Sequence, residues 1–327
     1  MKIKTLDSSS STFINDLSDY LNLREKNSTI IEKSVDRILN DIKRSGDQAL
    51  IKFSKKHDLT SYKKISDSLV TKKEIKEAYS IVPKATLTNI KKAIINIKKF
   101  SRNQSLKSWS MTVKGSTIGE KITPIETAGI YVPGGKASYP STVLMNAIPA
   151  RIAGVKEIIM VSPPIDKKIN PLVLVAADLC DVDRIYKFGG AHAVAALAYG
   201  TETIGPVDKI VGPGNIFVAT AKKKVFGTVG IDSFAGPSEI LIIANADANP
   251  ECIAIDMFAQ AEHDELAQSI LLTTSKKLIS DVNKKINEMI KTQKYDLTKL
   301  SHSLLGFYDL INNGEIKAET FNIEKDF

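Results

Sequence analysis

The feature that most constrains the fold is an alternation that begins near Ile122: short apolar runs stop at Gly or Pro, and each is followed by a helix-length segment. Residues 130–132 stop at Pro133-Gly134-Gly135, 157–161 at Ser162-Pro163-Pro164, 184–188 at Gly189-Gly190, 209–211 at Gly212-Pro213-Gly214, and 240–243 at Ala244-Asn245. Between them, residues 139–153, 170–179, 191–199 and 216–225 have helical length and pattern. Strand, Gly-rich turn and helix in succession imply strands that run parallel. The expectation is an α/β fold, a parallel sheet covered by helices. After residue 249 the pattern continues with a helix to about Asp264, a strand over 270–274 and a helix over 276–291; residues 314–327 give no clear pattern.

Upstream, residues 12–110 read as helical. Val35, Ile38, Leu39 and Ile42 recur at helical spacing, as do Ala93, Ile94, Ile97 and Phe100. The chain carries 45 Lys and Arg against 37 Asp and Glu, a net charge of +8. Most of the excess lies in Lys91-Lys92, Lys98-Lys99, Lys222 to Lys224 and Lys276-Lys277, set among Ile, Asn and Ser and read as solvated helix faces. No aromatic residues interleave with these runs as a nucleic-acid stacking platform requires, so no nucleic-acid partner is expected. Cys180 and Cys252 form no CxxC and are read as buried apolar residues, with neither a disulfide framework nor a thiolate zinc site. The N-terminus lacks the apolar core of a secretory signal and no run reaches membrane-spanning length, which points to the cytoplasm.

Three features can carry chemistry. Ligands of parallel α/β sheets collect beyond the carboxyl ends of the strands, where turns and helix N-termini present N–H groups. Pro133-Gly134-Gly135, Gly189-Gly190-Ala191 and Gly212-Pro213-Gly214-Asn215 fall at that edge, although none spells GxGxxG. Their glycines would let a phosphate approach the backbone, or would merely turn a strand tightly into a helix. In Gln260-Ala261-Glu262-His263, three residues advance a helix by about 300°, so Gln260 and His263 project from nearly one side and can share an ion. A solvated or helix-end histidine is the alternative. Ile253, Met257 and Ala261 would form the apolar stripe of that helix. Finally, Ser238 in Gly236-Pro237-Ser238-Glu239 would bind substrate or close a serine turn, and no His/Asp partner marks it as a nucleophile.

Taken together, these segments resemble the histidinol dehydrogenase family. The resemblance rests on residues 128–135 with 139–145, Gly189-Gly190-Ala191-His192 with 195–198, residues 207–215, Ala235-Gly236-Pro237-Ser238-Glu239, and Gln260-Ala261-Glu262-His263, in the family's order. It covers about residues 30–275, with looser matches at residues 46–50 and 96–100. It implies two Rossmann-like parallel-sheet domains with a helical N-terminal region, divided as 1–129 with 239–327 and 130–238, the latter facing NAD. The implied activity is the NAD-dependent, zinc-assisted oxidation of L-histidinol to L-histidine through the aldehyde, by a homodimer with shared sites. By the same resemblance, Tyr131, His192 and Asn215 fall at NAD contacts, Ser238 at a substrate contact, and Gln260 and His263 at zinc ligands that also face substrate.

Two local departures stand out: His192 where the family usually has Gln, and Phe234 where it usually has Pro. The family's Pro-Glu-His-Leu block, which supplies the acid/base pair, has no counterpart in these residues. No Pro follows Pro250, and His302 lacks a preceding Glu. No catalytic acid/base residue is therefore assigned, and a polypeptide of residues 1–327 alone is expected to hold zinc poorly and turn over little histidinol. The alternatives are a non-catalytic or split-enzyme piece acting as a nucleotide-binding module, and a related zinc- and NAD-dependent dehydrogenase of another small alcohol.

Overall fold

The computed structural model describes residues 4–134, 139–233, 239–261 and 267–292. The N-terminal part consists of α1 (Phe13–His57), a single 3-10 turn at Ile65–Ser68, α2 (Lys72–Ile81) and α3 (Lys84–Arg102). A hairpin of β1 (Trp109–Val113) and β2 (Ser116–Glu120) follows. Next come β3 (Thr127–Tyr131), α4 (Pro140–Ala153), β4 (Glu157–Val161), α5 (Pro171–Leu179), β5 (Arg184–Tyr186), α6 (Gly190–Tyr199), β6 (Lys209–Val211), α7 (Ile216–Val225) and β7 (Gly230–Ile231). The last described elements are β8 (Glu239–Ala244), α8 (Pro250–Ala261), β9 (Gln268–Thr273) and α9 (Lys276–Thr292).

The chain divides into two compact units, one of residues 30–234 and one combining the residues before 30 with those after 234. The larger unit thus takes in residues 30–129, which the sequence-based division groups with the strands after residue 239. The reason is packing. Val35, Ile38, Leu39, Ile42, Leu50 and Phe53 of α1 join Ile159, Val161 and the Ala-rich α6 in one core. On the opposite face Ile90 and Ile94 of α3 join Ile130, Ile158, Met160 and helices α4 and α5. Alternate residues of each central strand enter opposite cores, as a sheet covered on both sides requires.

All pairings in this sheet are parallel, in the order β5-β4-β3-β6-β7. Counted along the sheet's own strands this is 3-2-1-4-5, the order of doubly wound nucleotide-binding folds, in which the switch point lies between the first and fourth strands. Here that point lies beyond Tyr131 and Val211. Local signals place the helices: Pro at the first position of α4 and α5, a capping box between Thr71 and Glu74 at α2, and Gly154 in the left-handed region behind α4.

In the second unit β8 and β9 pair in parallel around α8. Ile253, Met257 and Ala261 of α8 are buried against Leu278, Val282 and Ile286 of α9, so the expected apolar stripe is present.

Four sequence expectations need correction. The helical reading of 12–110 fails at its end, because Trp109–Val113 is a strand. It turns through Lys114 and Gly115, both with positive φ, in the two-residue turn that suits a right-handed hairpin twist. Every residue of that hairpin is exposed, so burial periodicity left no mark on the sequence. Phe100, counted with the buried stripe of α3, is exposed. Cys180 is buried as expected, whereas Cys252 faces outward from the first turn of α8. Lys222, assigned to a solvated face, is buried, for the reason given below. Among the described residues no helix is long and apolar enough to cross a membrane.

Candidate functional site

The carboxyl edge of the five-stranded sheet is closely packed. A Cβ on Gly134, just past β3, would lie 2.2 Å from the Pro163 carbonyl oxygen. One on Gly189, past β5, would lie 2.5 Å from the Pro163 ring, and one on Gly212, past β6, 2.1 Å from the Tyr131 carbonyl. Gly212 also has φ +110°, where an L side chain is strained. These three glycines are thus required by the protein's own close approaches, which is the tight-turn reading of the Gly-rich segments.

Tyr131 ends β3 and is 3% exposed; its hydroxyl accepts the Gly190 N–H at 2.9 Å. Burial drives its phenol well above the ordinary tyrosine range, and the nearby Asp58 charge adds to the rise while the Gly190 bond opposes it. His192, in the first turn of α6, is 1% exposed and donates from Nε2 to Asp58 Oδ2 at 2.9 Å. The same Asp58 oxygen accepts the Gly189 N–H at 3.3 Å. Phe53 and His57, from the last turn of α1, lie against the His192 ring at centroid distances of 6.2 and 6.0 Å. Burial, helped by the charges of His192 and Lys56 and opposed by Asp58, holds His57 below the ordinary histidine pKa.

Asn215 sits across the switch point. Its side-chain oxygen caps α7 by accepting the Val218 N–H at 3.2 Å. The turn before it is clamped by an ion pair. Lys222 Nζ donates to the Gly212 carbonyl at 2.9 Å and to Asp232, while Asp232 accepts the Gly212 N–H at 2.8 Å. Burial raises the Asp232 carboxyl, but Lys222 and the N–H groups of Gly212 and Ser233 outweigh it, so it titrates below the ordinary aspartate range. The Lys222 ammonium is therefore inside because both polar groups of a strained glycine need a partner there.

The structure thus brings Tyr131 and His192 into one hydrogen-bonded cluster, with Asn215 on the adjoining turn. Gln260 lies in the last turn of α8, in the other unit, half-buried on the flank of the apolar stripe. Ser238 and His263 fall outside the described residues. Among the described residues no group of three His, Cys, Asp or Glu is arranged to hold a metal ion. Sequence reasoning missed Asp58, Pro163, Lys222 and Asp232. Asp58 is separated from His192 by 134 positions, and no local signal links them.

A parallel sheet of this order, with tight glycine turns at its switch point, defines a doubly wound α/β protein. The sequence profile of the family described as histidinol dehydrogenase matches residues 21–320, and the chain belongs to that oxidoreductase family. It is similar to the histidinol dehydrogenase of Hydrogenovibrio crunogenus, 46% identical over 293 residues that cover 89% of this chain and 68% of the relative. The Clostridium acetobutylicum histidinol dehydrogenase is 51% identical over 277 residues, 84% of this chain and 62% of that protein. The crystal structure of histidinol dehydrogenase from Elizabethkingia anophelis superposes with a TM-score of 0.70 at 38% identity, over 85% of this chain and 64% of that one. The chain therefore spans about two-thirds of the length of its relatives.

Proposed function

We propose that this chain serves the NAD-dependent oxidation of L-histidinol to L-histidine, a step of cytoplasmic amino-acid biosynthesis, as an alcohol and aldehyde dehydrogenase. What carries the reading is 46 to 51% identity to enzymes named histidinol dehydrogenase, over a match that includes every strand of the five-stranded sheet. The strand order supports NAD as the cofactor, since a dinucleotide spans the switch point of such a sheet.

Each of the two oxidations removes a hydride from carbon and a proton from oxygen, and water adds to the aldehyde between them. NAD, when bound, supplies the hydride acceptor. In this reading Tyr131 and His192 shape one wall of the cofactor cleft and Asn215 the other, held by the buried bonds described above. Gln260 and His263 would hold zinc and, with Ser238, face the substrate. Imidazole suits zinc, whereas a glutamine oxygen is an unusual ligand and two side chains supply only half of a tetrahedral site. Zinc would supply a template that fixes the imidazole and amine of histidinol with the alcohol carbon free. Proton transfer is assigned to no described residue. Self-association as a homodimer completes the proposal.

The test is NADH formation from L-histidinol by purified, zinc-supplied protein, with NAD binding followed separately by calorimetry. Binding with histidinol-dependent NADH formation supports the whole reading. Binding without turnover of histidinol leaves a nucleotide-binding module, and turnover only of another alcohol transfers the activity to a related dehydrogenase.

A further inference from the structure

We propose that Asp58 is a positioning residue of the cofactor edge, whose carboxylate holds the Gly189 N–H and the His192 ring together at the start of α6. The inference rests on the NAD reading above and names the residue that sets the wall formed by Tyr131 and His192.

Residues 58–70 carry Asp58 to this place. Tyr62 Oη donates to the Lys187 carbonyl at 2.6 Å, and the backbone of residues 68–70 pairs with 185–187 along the free edge of β5. The segment is pinned further by Lys187 Nζ on Glu74, at 2.7 Å. Asp58 then lies over the end of β5 with its side chain 5% exposed.

The first N–H groups of a helix are orphan donors, and with the helix dipole they form an anion site unless something fills it. At α6 the N-cap N–H and the first helical N–H are taken, that of Gly189 by Asp58 Oδ2 and that of Gly190 by Tyr131 Oη. One acceptor is a carboxylate. A phosphate brought to this turn would displace two bonds and meet a like charge that is nearly inaccessible to water. The turn into α7 is held by different groups: its ion pair engages both backbone groups of Gly212, and Asn215 Oδ1 accepts the Val218 N–H. Asp58 works through the turn: a single oxygen aligns Gly189 and the His192 ring, and the adjoining amide holds the Tyr131 hydroxyl.

That single-oxygen geometry yields a specific test. In Asp58→Asn the amide oxygen can accept both bonds, whereas Asp58→Ala removes the acceptor. Calorimetric titration of NAD into the whole protein should leave Asp58→Asn within about threefold of the unchanged protein. Asp58→Ala should bind at least about tenfold more weakly, as the loss of a buried acceptor predicts, with faster amide exchange at Gly189 and Gly190 before any NAD is added. Should Asp58→Ala fail to fold, Asp58→Glu, which keeps the charge but moves the shared oxygen away from both donors, is expected to weaken binding by a similar factor. Equal losses in Asn and Ala, unchanged binding in Ala, or tighter binding in either variant would overturn the proposal. Failure of the unchanged protein to bind NAD at all would overturn the cofactor reading itself, and this inference with it.

Discussion

The five-stranded sheet and the β8–β9 pair are both parallel, yet they bury their residues differently. Along β4, Ile158, Ile159, Met160 and Val161 are all buried, because helices cover both faces. Along β8, exposure alternates: Ile242 and Ala244 pack toward α8 and α9, while Leu241 and Ile243 are exposed within their unit, with Leu272 of β9 beside them. The residue types are the same in both sheets. What differs is the number of covered faces among the described residues, so an apolar run specifies a strand but not its burial.

Substitutions can break or sharpen this contrast. The largest effect is expected from Met160→Ala, which leaves a cavity between two packed layers and should cost about 2–5 kcal/mol in urea unfolding. A loss below 1 kcal/mol would show that the double cover is loose. Next comes Lys222→Ala, which strips the clamp from the Gly212 turn. Asp232 keeps some solvent access, so the cost is discounted to about 2–3 kcal/mol. This pair also has a pH signature. Because the folded Asp232 carboxyl titrates below its ordinary value, its contribution is full above the unfolded value and is lost as pH falls through the folded one. Asp232→Asn should therefore flatten the stability profile at the acid end, below about pH 4, and leave its slope at neutral pH unchanged. Asn215→Ala removes the cap of α7 at a cost of about 1 kcal/mol, read as a shift in the same unfolding curve. The smallest change is expected from Ile243→Ala, 74% exposed, within about 0.5 kcal/mol. If Ile243 proved as costly as Met160, the uncovered face of β8 would be covered in solution.

Much of this fold was legible because the signals were local. The residues 157–161 and 216–225 stand where apolar runs and Gly or Pro stops placed them, and Ile253, Met257 and Ala261 point inward as their spacing required. The hairpin 109–120 was not legible, since strands with both faces exposed show no burial period, and its Lys114-Gly115 turn is a weaker signal than Asn-Gly. Two-residue β7 is too short to leave a pattern. Within the site, the glycine turns and Asn215 were visible as motifs, but the residues that hold them were not. Lys222 sits in a run of three lysines, two of which behave as the run suggests: Lys223 is exposed and Lys224 pairs with Asp36 at 3.0 Å. Only the fold turns the first of them inward.

Pro163 has a mechanical consequence. Wedged between Gly134 and Gly189, it leaves no slack between the ends of β3, β4 and β5, and close-packed atoms pass displacement on rather than absorbing it. The three strand ends therefore behave as one stiff beam. A displacement of Gly134 is thus felt at Gly189, at the start of α6.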